Sequence, residues 1–126
     1  MIRWADIAGV GGHASNGGDG IAYLNEGADT LSWFDGLAIE HCHIERTHLN
    51  GIWGWSSYWD RKPWRPNLNV VIRGNHLVDI GMSGIVPVGC AGAVVEHNRV
   101  IRPSRGGHGI GIWPWSCENT VIQFNE

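Results

Sequence analysis

The sequence predicts an all-β fold in which the chain winds into stacked coils, a parallel β-helix, and three observations predict it. First, a seven-residue pattern recurs as "NVVIRGN" at 69–75, "GAVVEHN" at 92–98 and "NTVIQFN" at 119–125, with "GLAIEHC" at 36–42 as a fourth copy ending in Cys42. Second, a Gly-Ile step follows nine residues after the first two end positions, at Gly51-Ile52 and Gly84-Ile85, and thirteen after the third, at Gly111-Ile112. Third, apolar residues within each copy stand two apart, the strand period, and no segment carries a helical period. Repeats of this length with several short strands per unit read as a β-solenoid.

Each element follows from that alignment. The end positions Cys42, Asn75, Asn98 and Asn125 are spaced 33, 23 and 27 residues apart, which sets the coil lengths. Stacked Asn side chains can hydrogen-bond from one coil to the next, and Asn tolerates a left-handed corner, so a ladder is expected there. The pairs Leu37/Ile39, Val70/Ile72, Ala93/Val95 and Thr120/Ile122 are expected to point inward. Just after them stand Glu40, Arg73, Glu96 and Gln123, and four residues past the end position stand Arg46, Asp79 and Arg102. Alternating signs suit outward ladders, since like charges directly opposite destabilise a sheet. Gly20-Ile21 fits the same Gly-Ile step upstream. The expected domain is 1–126, with coils near 1–35, 36–66, 67–90 and 91–117 and the start of another at 118–126. The pattern is cut at both ends, so the remaining coils of a longer parent chain are expected partners.

Composition narrows the function. The 126 residues carry a net charge of −3 with a single lysine, Lys62, so there is no basic footprint for nucleic acid or anionic membrane. No run of eighteen apolar residues occurs, so no membrane-spanning helix is expected. Nineteen Gly suit many turns and close backbone stacking, and eight Trp are the other excess.

The segments "LAIEHCHIERTHLNGIW", "NVVIRGNHL", "AVVEHNRV" and above all "GIWPWSCENTVIQFNE" resemble the right-handed parallel β-helix proteins of the broad pectate-lyase-like superfamily. The resemblance covers 36–126 and extends loosely over 1–35. It implies a right-handed coil and an extracellular or periplasmic carbohydrate-active protein. A polysaccharide-degrading glycoside hydrolase is the first expectation. A non-catalytic glycan-binding or adhesin β-helix and a polysaccharide lyase are the alternatives, because this fold hosts all three. It also implies that catalytic carboxylates can lie in coils after Glu126. No cofactor is implied.

Within the chain, Trp53 and Trp55 follow one Gly-Ile step and Trp113 and Trp115 follow another, with Val86 and Val88 between them. With Ile inward, these Trp rings share one outer face, and a flat ring with an N–H suits a sugar. Packing beneath another segment is the alternative for the same rings. Trp59 and Trp64 lie in an insertion expected beside that face. His48 and His108 each precede a Gly-Ile step by three residues, and with His13 they are candidate substrate contacts. Hydrolysis needs two carboxyl groups. Asp19, before Gly20-Ile21, and Asp60, on the insertion, are the candidate catalytic acids, each also a common turn-former. His41 and His43 in "HCH" lack a third ligand, so no metal site is expected. Cys90 and Cys117 fall in equivalent positions about one strand spacing apart, compatible with a disulfide or with a reduced stack, and Cys42 is expected to be a buried free thiol.

Overall fold

A computed structural model describes residues 1–12, 17–27, 30–57 and 63–126. The chain runs repeatedly around the same four sheets. The first circuit holds β1 (Ile2–Arg3), β2 (Asp6–Ala8) and β3 (Ile21–Asn25). The second holds β4 (Ala38–Glu40), β5 (His43–Glu45), β6 (Ile52–Ser56) and β7 (Asn67–Leu68). The third holds β8 (Val71–Arg73), β9 (His76–Val78), β10 (Ile85–Val86) and β11 (Cys90–Ala91). The fourth opens with β12 (Val94–Glu96) and β13 (Arg99–Ile101), and β14 (Val121–Gln123) opens the next. Among the described residues there is no helix.

Every pairing is parallel. The sheets are β1-β4-β8-β12-β14, β13-β9-β5-β2, β10-β6-β3 and β11-β7. The register is the one that the repeats predict. Ile39 pairs with Ile72, Ile72 with Val95, and Val95 with Ile122. The Gly-Ile steps align as Ile21, Ile52, Ile85 and Ile112. Inside the stack Ile39, Ile52, Ile72, Ile85 and Val95 are fully buried, whereas Ile122 at the open end is exposed. Each such side chain contributes roughly 1.5–3 kcal/mol of burial.

The Asn ladder forms, and its geometry repeats. Asn75 Oδ1 accepts the Cys42 amide at 2.9 Å, Asn98 Oδ1 the Asn75 amide at 3.0 Å, and Asn125 Oδ1 the Asn98 amide at 2.9 Å. Each side-chain amide also donates across the stack, to the carbonyls of Ile39, Ile72 and Val95. A buried polar group is tolerated when its hydrogen bonds are made, and here each rung satisfies the next. One detail differs from the expected corner. The left-handed residue is the one before each rung: His41, Gly74, His97 and Phe124, at φ 55°, 64°, 55° and 53°. The Asn rungs themselves lie just past the bend, where their side chains turn inward along the stack.

The charge ladders form as well. Arg3, Glu40, Arg73, Glu96 and Gln123 align in register. Arg73 bonds Glu96 at 2.7 Å, and Gln123 bonds Glu96 at 2.7 Å. Arg102 grips Asp79 through two nitrogens at 2.7 and 2.9 Å, and Arg105 adds a third contact. Those bonds hold the Asp79 carboxyl well below the usual carboxylate range. Arg46 instead pairs with Glu45 of its own circuit. On the same outer side His43 and His76 stack at 5.3 Å. Burial, then His43 and Arg99, lower the His76 pKa from its ordinary value.

Candidate functional site

The cleft is built by the Gly-Ile strands. Glycine is required at Gly20, Gly51 and Gly84 because the next circuit approaches closely there. A Cβ on Gly84 would stand 2.5 Å from the Gly111 carbonyl oxygen and 2.5 Å from Val100 Cγ1. The Ile after each Gly points inward, so the next residue points out, and the alternation of β6 follows at once: Ile52, Gly54 and Ser56 buried, Trp53 and Trp55 half-buried. Gly54 leaves the space that the inward Tyr23 ring fills.

The outward residues align as expected. Ala22, Trp53 and Val86 are partners in one column and Leu24 and Trp55 in the next, and Val88 bridges to Trp115 on the following circuit. Val86 is 5% exposed, and Trp113 and Trp115 are 43% and 40% exposed. The small residue between two large ones makes a trough with Val86 as its floor. Trp53 stands on one side and Trp113 and Trp115 on the other, their two rings parallel within 4° at 5.6 Å. Trp53 and Trp55 are inclined at 38° with centroids 6.0 Å apart. Asn50, Met82, Ser83 and His108 complete the lining of a shallow cleft of about 180 Å³. None of the eight lining residues is a carboxylate, Lys or Arg. Its chemistry is flat aromatic surface with a few polar donors and acceptors at one end.

Those polar groups are fixed by a second ladder, at the position before each Gly-Ile step. Asp19 Oδ1 accepts the Asn50 amide at 2.9 Å and Asn50 Nδ2 at 2.8 Å. Asn50 Oδ1 accepts the Ser83 amide at 3.2 Å, and Ser83 Oγ accepts the Ile110 amide at 3.1 Å. Asp19 is therefore the first rung of a structural stack whose later rungs line the cleft. The signal was present in the sequence as an acceptor before each of the first three Gly-Ile steps, but Asp, Asn and Ser do not look alike.

The structure brings Trp53, Trp113, Trp115 and His108 together in one cleft and sets Trp55 beside Trp53. His48 is not among the lining residues; it is exposed and packs on Gly18. His108 reaches the cleft because the fourth circuit carries four extra residues. The Arg105 and Gly106 amides bond to the carbonyls of Ile80 and Gly81, laying that loop over the third circuit. Trp64 lines a separate groove with Trp33, Arg65, Pro66 and Leu68. His13 and Asp60 lie outside the described residues, as does Trp59. His41 and His43 stack on different rings, Trp4 and His76.

No protein-family model, curated protein or solved structure matches this chain. The functional reading therefore rests on the site itself.

Proposed function

We propose that the stacked circuits are a right-handed parallel β-helix of the pectate-lyase-like type and that the Val86-floored cleft binds a neutral glycan. The observation that carries the binding reading is the pair of parallel, partly exposed rings of Trp113 and Trp115 facing Trp53 across a small floor. A pyranose offers an apolar C–H face to such rings, and its hydroxyls find Asn50, Ser83 and His108 at one end. Among the described residues the lining carries no fixed charge, which favours a neutral sugar over a uronate, because a carboxylate there would lack a cation. Hydrolysis would need two carboxyl groups flanking the bond. The cleft supplies none, so glycan binding is the better supported part, and the secreted glycoside hydrolase is the proposal for the parent activity. Trp33, on the other groove, provides a control.

The test is intrinsic Trp fluorescence during titration with neutral and acidic polysaccharides. The expected result is a saturable change with a neutral polymer. Its affinity should fall about tenfold in Trp113→Ala, the loss expected for one stacking ring, and stay unchanged in Trp33→Ala. Equal affinity in both variants, or silence from folded protein, would sink the reading. Release of reducing ends by the bound protein would separate a hydrolase from a non-catalytic glycan binder.

A further inference from the structure

We infer that Cys117 is a nucleophilic modification site and that Cys90, one rung below it, is its resolving partner, so that the two close into a disulfide on exposure to a small-molecule disulfide. The parallel bridge between Ala91 and Glu118, with the Glu118 amide 2.9 Å from the Cys90 carbonyl, sets the two cysteines opposite each other on consecutive circuits. Neighbouring strands lie about 4.8 Å apart, inside the roughly 4.4–6.8 Å Cα separation that a disulfide spans. Both thiols hang the same way. Cys90 Sγ donates to the Val88 carbonyl at 3.5 Å, and Cys117 Sγ to the Trp115 carbonyl at 3.4 Å.

The two sulfurs differ in access and charge. Cys90 is fully buried, with the Tyr23 hydroxyl 3.8 Å from its sulfur, whereas Cys117 is partly open at the end of its column. A hydrogen bond from the Cys90 thiol brings Cys117 down to about 7 and pushes Cys90 up. The more exposed sulfur is thus the more acidic of the two. The thiolate is the reactive form of cysteine. Cys42, buried between β4 and β5 and bonded to the Glu40 carbonyl at 3.4 Å, has no such neighbour sulfur and serves as an internal control.

The chemistry balances with glutathione disulfide as oxidant. The Cys117 thiolate attacks one glutathione sulfur, forming a mixed disulfide and releasing one glutathione thiolate. Cys90 Sγ then attacks Cys117 Sγ, its proton passing to the second glutathione thiolate as that thiolate is expelled. Two protein thiols are oxidised, and one glutathione disulfide is reduced to two glutathiones. The product ties the third circuit to the fourth, immediately after the Trp115 wall. This inference does not depend on the glycan reading.

The test is peptide mapping of the 126-residue chain after incubation with glutathione disulfide at pH 7 and acid quench. Trypsin separates the three cysteines, since Cys42 falls in 4–46, Cys90 in 74–99 and Cys117 in 106–126. The expected product joins 74–99 to 106–126 with loss of two hydrogens and leaves Cys42 free. Cys90→Ala should instead stop as a glutathione adduct on Cys117, forming more slowly because the Cys90 hydrogen bond is gone, and alkylation of Cys117 in reduced wild type should be half-maximal near pH 7. Three outcomes each overturn the proposal: free thiols throughout, a glutathione adduct accumulating on wild-type Cys117, or no adduct in folded Cys90→Ala.

Discussion

Asn98→Ala is expected to cost about 3–5 kcal/mol of folding stability, reckoned at about 1–3 kcal/mol per orphaned buried group. The side chain is 1% exposed, and its Oδ1 is the acceptor for both the Asn75 amide and Asn75 Nδ2. Alanine leaves the buried Asn75 amide without its acceptor and Asn75 Nδ2 with its Ile39 carbonyl bond alone, and it also removes the bond to the Ile72 carbonyl. Net stabilities of domains lie at about 5–15 kcal/mol, so this one substitution consumes a large share. Asn125→Ala removes the same set of bonds on the open rung, where the residue is only partly buried and water can replace them. It should cost less than half as much. Urea unfolding followed by Trp fluorescence measures both. Equal, small losses would mean that the Asn stack is ornamental and that the apolar column alone holds the circuits in register.

Gly84→Ala is the second large effect, and it has a built-in control. The added methyl would meet the Gly111 carbonyl oxygen and Val100 Cγ1, each at 2.5 Å, and that carbonyl accepts the Ile85 amide at 3.0 Å, a bond that stepping aside would break. Forcing a group into a filled site costs about 1–3 kcal/mol, and the backbone contact places this case at the upper end. Gly111 occupies the same position one circuit on, yet nothing lies within 4 Å of its Cβ site. Gly111→Ala should fall within about 0.5 kcal/mol of wild type, or gain slightly from a less flexible unfolded chain. A thermal midpoint that drops for both, or for neither, would contradict the stacking distance assigned to that column.

How much of this was legible in the sequence depends on whether a position demands one residue type. The Asn rungs and the Gly of each Gly-Ile step were visible because only a short side-chain amide, or no side chain at all, serves there. Trp53, Trp113 and Trp115 were placed on one face by counting outward from Ile, since alternation on a strand is strict. The charge ladders followed from register alone. Other features left a weaker signal. The left-handed corner is held by His41, Gly74, His97 and Phe124, a set with no shared chemistry, because ring stacking on Trp4 and between His97 and Phe124 offsets the backbone cost. The Asp19–Asn50–Ser83 ladder was hidden because any short acceptor serves. It turns Asp19 from an isolated acid into a rung. His48 and His108 share a sequence position but not an environment, since the loop carrying His108 is longer and folds over the third circuit. Spacing to the next Gly cannot report that difference.

The most direct measurement is scalar coupling across hydrogen bonds in the isotope-labelled protein, because both the cleft and the thiol pair depend on one register. The account predicts correlations from the amide nitrogens of Cys42, Asn75 and Asn98 to the side-chain carbonyl carbons of Asn75, Asn98 and Asn125, respectively. Coupling of those amides to other acceptors, or their exchange with water as fast as an open loop, would contradict the stacked circuits and with them the site built on their outer face.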